Sequence, residues 1–303
     1  MPKHGIRSTY SQCPFQLLVC GQDGRILSAA SAFFFETDGI WFIITNWHVV
    51  SGRHFQDRQP LADPFIEPFS LVAKLSSYAV GDRERGTFGI APHHIPLYSG
   101  EQPVWFEHPE FSASCDVVAI PMERPVACPE FMHNAANLIS KDNIPVEPGC
   151  TVFVIGFPHA LSVGFGLPLW KSGYVASEPH YDVDLAGNLW DYGGLTGGTR
   201  IPAFFIDAQT RAGMSGAPVF ARYHGPWDKR DPYRDIDPNE PGFWERDDIA
   251  LWGSQGTQFV GCYSGRVGSI ENEAALGLCW RTDVIEAICR GSKPGNNPHV
   301  SNG

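Results

Sequence analysis

Between Phe15 and Thr45, three runs rich in β-branched and aromatic residues follow one another: Phe15 to Cys20, Ile26 to Glu36 and Ile40 to Thr45. Only Gln22-Asp23-Gly24 and Asp38-Gly39 separate them. Asp-Gly steps supply the positive φ angles of a tight turn, so the segment predicts consecutive antiparallel hairpins, a meander. Phe69 to Tyr78, Gly86 to Ala91 and Val117 to Pro121 have the same character. About six strands therefore precede residue 121, a number that suits one small barrel.

The segment from Pro121 to Pro148 differs. Pro121, Pro125, Pro129, Pro145 and Pro148 punctuate it, and only Asn134 to Ile139 has the makings of a short helix. It reads as a connection between two units. Strand patterns resume at Thr151 to Gly156, Leu167 to Ser177, Ala203 to Ile206, Ala217 to Ala221, Gln258 to Ser264 and Ala275 to Trp280. Val284, Ile285, Ile288 and Cys289 then recur at helical spacing, with Thr282 as the expected N-cap and Gly291 as the stop. Between the fourth and fifth of these strands, Arg222 to Gln255 is dense in Asp, Arg, Pro and Trp and too polar for a core. Loops of that length are usually functional or disordered. The expected organisation is an N-terminal extension (1–14), a first six-stranded β-barrel (15–125), a connection (126–148), a second six-stranded barrel (149–282) carrying the 222–255 insertion, and a C-terminal helix and tail (283–303). The class is all-β.

Composition excludes several roles. The 33 acidic against 22 basic residues leave a formal net charge of −11, with no Lys/Arg cluster dense enough to follow a phosphate backbone, so nucleic acid is not expected as a partner. No apolar run reaches the ~18 residues of a membrane span, and the start MPKHGIRSTYSQCPFQ lacks a signal-like stretch, so a cytoplasmic, membrane-free protein is expected. The eight cysteines include no Cys-x-x-Cys pair and no zinc spacing, and His93 and His94, being adjacent, point apart on a strand. Buried thiols in a reducing compartment are expected, with neither metal nor cofactor.

Three short segments carry chemistry. Gly213-Met214-Ser215-Gly216 is a turn able to aim a hydroxyl and two backbone N–H groups at one point. Acyl transfer needs that geometry, because negative charge develops on the former carbonyl oxygen and one donor already in place there is worth about 3 to 4 kcal/mol. His48 directly follows an apolar strand, where a neutral imidazole is the natural base for a serine hydroxyl. Asp116 stands at the entrance of another apolar strand, where a buried carboxylate is costly without a partner such as an imidazole N–H. Each alone has an ordinary structural explanation: a turn between strands, a core or surface histidine, a strand-start aspartate. Their joint occurrence, once each in the order His, Asp, Ser, points beyond that.

With these segments the chain resembles the trypsin/chymotrypsin-like serine protease family, and more closely its bacterial, disulfide-poor branch that includes the high-temperature-requirement proteases. The resemblance runs through Ile44 to Val50, Asp116 to Met122, Gly149 to Ser177, Asp207 to Phe220, Phe259 to Gly265 and Leu276 to Ile288, in family order. It implies a chymotrypsin-like pair of barrels and a serine endopeptidase acting on protein or peptide through an acyl-enzyme on Ser215. In it His48 is the base, Asp116 orients the base, and the N–H groups of Gly213 and Ser215 form the oxyanion hole. It further implies a primary pocket with Gln209 at its base and Cys262, Tyr263, Ser264 and Gly265 as walls, hence a preference for an uncharged side chain before the scissile bond. Departures are informative. Val49 and Arg211 stand where secreted members carry cysteines, and Met214 replaces the Asp that receives a freed amino terminus in zymogen-type members. Control by access or assembly is expected instead, with the 222–255 insertion as the docking place for a regulatory protein.

Other homes for a reactive serine fit less well. An α/β-hydrolase elbow needs Gly at position 217, where Ala217 stands, and a histidine after the serine, where only His224 and His299 occur. A cysteine protease on the same fold would carry Cys at 215. The competing class is a protease-like barrel serving as a binding or scaffolding module, its cleft covered by the insertion.

Overall fold

The computed structural model describes residues 6, 8–78, 88–122, 133–140, 142–164, 166–184, 200–251, 253–266 and 276–300. Cys128, Trp252, Pro125 and Pro129, and residues 1–5 and 7 of the amino-terminal extension, lie outside these residues. The predicted hairpins form in place. Strands β1 (Pro14–Cys20), β2 (Ile26–Thr37) and β3 (Ile40–Thr45) pair antiparallel in order, and Asp38 and Gly39 take positive φ at the second turn. Strands β4 (Ser70–Tyr78), β5 (Phe88–Pro96) and β6 (Val118–Met122) complete the six expected strands of the first unit. Two two-residue strands, Phe106–Glu107 and Lys293–Pro294, extend its edge beyond β6 to make an eight-stranded sheet. The C-terminal tail therefore belongs to the first unit, through a pairing that no local pattern announces.

The second unit is a closed six-stranded barrel. In space its order is β7 (Thr151–Gly156), β8 (Leu169–Val175), β9 (Ala203–Ala208), β12 (Gly277–Arg281), β11 (Gln255–Arg266) and β10 (Pro218–His224). Every pair is antiparallel, and closure removes the unpaired edges that a sheet otherwise exposes. Inward residues such as Val152, Val154, Ile206 and Val219 fill its core, while Phe220, Phe259 and Trp280 join the core of the first sheet. Seven cysteines are described, all free and buried.

Helix α1 (Trp47–Ser51) directly follows β3, helix α2 (Ala136–Ile139) lies in the connection, and helix α3 (Thr282–Gly291) packs Val284, Ile285, Ile288 and Cys289 inward. Each such apolar side chain contributes about 1.5–3 kcal/mol when buried. The cap of α3 differs from the expected one. Arg281 is the N-cap and Thr282 is already helical, its hydroxyl donating to the Phe259 carbonyl at 3.3 Å. Gly291 stays in the helix, and Ser292, at φ 44°, ends it. No described helix is long and apolar enough to cross a membrane.

The polar segment after β10 is folded, and it does have a small core. Trp227–Asp228 pairs with Ile249–Ala250, and Phe243 is buried beneath a 3-10 turn. Asp228, also buried, accepts from the N–H groups of Arg230 and Asp231 and from Arg246 Nη2 at 2.7 Å. Burial pushes its carboxyl up, but these donors outweigh burial and hold it below the usual range. The charged residues that looked incompatible with a core are thus the pairs that make one. Among the aromatic residues of this segment, Trp227 and Phe243 are buried, whereas Tyr233 and Trp244 are exposed.

Candidate active site

Two strand registers bring the chemistry-bearing residues together. Thr45, the last residue of β3, lies opposite Val118, the first of β6, so the chain just after β3 runs beside the chain just before β6. That places His48 on α1 against Asp116. In the barrel, Pro218 lies opposite Cys262, and the Gly216 N–H donates to the Tyr263 carbonyl at 2.9 Å. Ser215 is thereby set beside the end of β11.

Asp116 is fully buried and fully used. Its Oδ1 accepts the backbone N–H of His48 at 2.9 Å, and its Oδ2 lies 2.7 Å from His48 Nδ1 and accepts from the Ser264 hydroxyl. The Asn46 amide donates to its carbonyl at 2.7 Å. A carboxylate so placed accepts only, so Nδ1 carries the imidazole proton and Nε2 is left as a base. Among the described residues Nε2 has no hydrogen-bond partner, and Ser215 Oγ is not bonded to it. In an unliganded site such bonds are often long and tighten only with substrate.

The nucleophile turn is held from several sides. Gly213 and Gly216 have φ of 91° and 82°. A Cβ at Gly216 would lie 2.2 Å from the Ser31 carbonyl oxygen, and one at Gly213 would lie 2.5 Å from the Phe157 carbonyl oxygen. Only glycine fits both places. Met214, in place of an activating aspartate, is wholly buried in the barrel core, so the turn is anchored by apolar packing. The Ala212 carbonyl accepts the His159 N–H at 2.7 Å, which fixes the following peptide plane. Among the described residues the N–H groups of Gly213 and Ser215 have no protein acceptor. Two free donors on one positive-φ turn can meet a developing oxyanion.

Ser31 of β2 was not singled out in the sequence. Its hydroxyl donates to the Gly213 carbonyl at 2.8 Å and accepts the Phe157 N–H at 3.1 Å, while its N–H donates to the Ser215 carbonyl at 2.8 Å. It thus straps the first sheet to the nucleophile turn. Ser31→Ala is expected to lower kcat about tenfold with little change in KM, short of the 10²–10³ of deleting a donor outright. Steady-state kinetics with one peptide substrate checks it, and an effect confined to KM would argue against the strap.

A cavity of about 390 Å³ opens beside Ser215, bordered by Thr210, Arg211, Tyr263, Gly265 and Arg266. Three of the expected pocket residues are elsewhere. Gln209 is exposed and outside the cavity, because the chain turns there, the Thr210 N–H donating to the Ala208 carbonyl at 2.8 Å, and it is Thr210 that faces in, its hydroxyl bonded to that of Tyr263. On β11, alternation along the strand turns Cys262 and Ser264 away from the cavity, toward Asn46 Nδ2 (3.7 Å) and Asp116 respectively. Burial pushes the Cys262 thiol well up, which makes it inert. Tyr263 and Gly265 do line the cavity.

Residues 30–225, more than half of the chain, match the family described as a trypsin-like peptidase domain, and the chain belongs to that family. Its all-β, two-unit chymotrypsin-like fold accords with that membership. Among solved structures it is similar to the Rv3671c protease from M. tuberculosis in its active form, with 17% identity over 93% of this chain and 81% of that one, at a TM-score of 0.44. It is also similar to the HtrA-type protease AlgW with tripeptide (12% identity, 93% of this chain, 62% of that one, TM-score 0.45). A third is the serine endoprotease from Yersinia pestis (11% identity, 96% and 70%, TM-score 0.44). The chain thus spans less than two thirds of AlgW. No curated protein sequence matches it.

Proposed function

We propose that this trypsin-like peptidase is a serine endopeptidase that cleaves peptide bonds through an acyl-enzyme on Ser215. The observation that carries the reading is the polarity of His48: a buried carboxylate receives Nδ1 at 2.7 Å, while Nε2 is unpaired among the described residues. In this mechanism Ser215 Oγ attacks the substrate carbonyl carbon as its proton passes to Nε2. Asp116 stabilises the imidazolium, and Ser264 holds the carboxylate in place from the other side. The oxyanion accepts from the N–H groups of Gly213 and Ser215. Collapse of the tetrahedral intermediate breaks the C–N bond, and Nε2 returns the proton to the leaving amine. Water then attacks the ester, losing its proton to Nε2, and the Ser215 hydroxyl is regenerated.

A fluorophosphonate probe tests the assignment, since it reacts with an activated serine and not with an ordinary one. Labelling is expected at Ser215 and is expected to vanish in Ser215→Ala and in His48→Ala. Undiminished labelling of Ser215→Ala would falsify the assignment. A folded protein that never labels would support the binding-module alternative.

A further inference from the structure

The short helix that carries His48 cannot hold its own orientation. Helix α1 has five residues, far fewer than an isolated helix needs, and its N-cap Asn46 makes no side-chain capping bond. Its first residue is Trp47, which immediately precedes His48 and is buried. The Trp47 indole N–H donates to Glu107 Oε1 at 3.1 Å. Its ring face is covered by the Arg58 guanidinium, 4.7 Å from the centroid, and Arg58 Nη1 donates at 2.6 Å to the carbonyl of Ala113, on the chain leading to Asp116. The orientation of the helix is thus set from outside it.

Glu107 is a carboxyl that the reaction does not touch, and its placement is costly. It is wholly buried on the edge strand Phe106–Glu107, beside β6, where Phe106 lies opposite Ala119. Its Oε1 also accepts the Trp105 indole N–H at 3.2 Å and the Asn296 backbone N–H at 3.3 Å. Its Oε2 has no hydrogen-bond partner among the described residues. Burial pushes this carboxyl up, opposed by the N–H groups of Trp105, Trp47 and Asn296 and by the Arg58 charge. A stranded buried acceptor costs about 1–3 kcal/mol, so stability alone is a poor reason for a carboxyl here. Every bond it makes converges on one oxygen, and of the donors only Trp47 belongs to the element that carries His48.

We infer that Glu107 is a positioning residue for His48: by accepting from the Trp47 indole it fixes the rotation of α1, and hence the alignment of the imidazole between Asp116 and Ser215. This inference rests on the peptidase reading above. Trp105 bonds the same oxygen in the same way but carries no catalytic neighbour, so it separates positioning from stability.

Two readouts on the full-length protein test it: the rate of labelling by a fluorophosphonate, and the proton NMR signal of His48 Nδ1–H, which needs no chemistry at Ser215. That proton, held across 2.7 Å to Asp116 Oδ2, resonates far downfield only while the ring keeps its place. Trp47→Phe is expected to slow labelling about tenfold and to broaden or remove the resonance. Trp105→Phe takes an equal donor from the same oxygen, so it is expected to lower the melting temperature as much, yet to label at the parent rate and keep the signal. Glu107→Leu is expected to behave as Trp47→Phe does. Glu107→Gln, whose amide oxygen still accepts, is expected to return to within about threefold of the parent. Equal slowing by the two indole substitutions overturns the inference, and so does Glu107→Leu with parent labelling and an intact resonance. Glu107→Gln as slow as Glu107→Leu overturns the role of the Oε1 hydrogen bond. If Glu107→Leu does not fold, the two indole variants still decide. A parent protein that never labels at Ser215 is a separate result: it removes the peptidase reading, and the resonance comparison then supports or overturns the Glu107–Trp47 link to His48 by itself.

Discussion

Asp116→Asn is expected to lower kcat/KM by about 10⁴-fold while leaving the protein folded, the magnitude being that of serine peptidases with the same three groups. The reason lies in how the carboxylate is divided. Oδ1 accepts the His48 backbone N–H, so an asparagine keeps its carbonyl oxygen there and must place its NH₂ where Oδ2 was. That NH₂ then faces His48 Nδ1, formerly the donor across 2.7 Å. The imidazole answers by accepting at Nδ1 and moving its proton to Nε2, where it can no longer take the proton of Ser215. The Ser264 hydroxyl can rotate to accept from the same NH₂, so no buried group is stranded and volume is unchanged. Peptide kinetics and a thermal melt of the variant check both halves. Activity within tenfold of the parent would mean that Asp116 is not what sets the tautomer.

Acid is expected to destabilise the fold by on the order of 3 kcal/mol between pH 7 and pH 4 through His133. This ring is buried against Phe15 and Phe34, with centroids at 5.4 and 6.1 Å. Its Nε2 accepts the Ser76 N–H at 2.8 Å, and its Nδ1 faces the Gln12 carbonyl oxygen at 3.2 Å. Only the neutral Nδ1–H tautomer satisfies both. Burial pushes its pKa down to about 4, with the Gln12 carbonyl opposing. The folded value lies below the unfolded one, so the unfolded chain binds the extra proton first as pH falls. Stability from this site is complete above the ordinary histidine range and is lost as pH drops toward 4. His299, also pushed down to about 4 by burial and by nearby Arg53, acts in the same direction. Urea unfolding at several pH values measures the loss. In His133→Gln the amide oxygen can still accept from Ser76 but cannot titrate, so its acid dependence is expected to be shallower. An equal slope in both proteins would place the acid sensitivity elsewhere.

Much of the framework is legible in the amino-acid sequence. The runs at Ile26, Ile40 and Thr151 begin as strands where their patterns begin, because an Asp-Gly turn or a proline ends a strand locally. His48 and Asp116 were legible because each is a polar group at the end of an apolar strand, and such a group requires a partner. Ser31 was not legible. A small polar residue within a strand signals nothing until the opposing turn supplies a carbonyl for its hydroxyl. His133 was hidden in the same way, since its acceptor and donor come from Gln12 and Ser76, distant in sequence.

Adjacent residues show where the division falls. Position 209 was expected at the base of a pocket, and counting back from Ser215 along the chain supports nothing finer, yet Thr210 is the residue that turns in. The chain turns at Gln209, the Thr210 N–H donating to the Ala208 carbonyl at 2.8 Å, so the inward place falls one residue later. On β11 the alternation of a strand gives Tyr263 to the cavity and Ser264 to Asp116. The amino-acid sequence by itself determined the antiparallel β class and the identities of the histidine, aspartate and serine, because turn preference and the pairing demand of a buried charge act locally. Which side chains line the cavity and which hydroxyl braces Asp116 were decided only by tertiary structure. Those meetings depend on strand register between segments far apart in the chain, and register is set by the packing of the whole barrel.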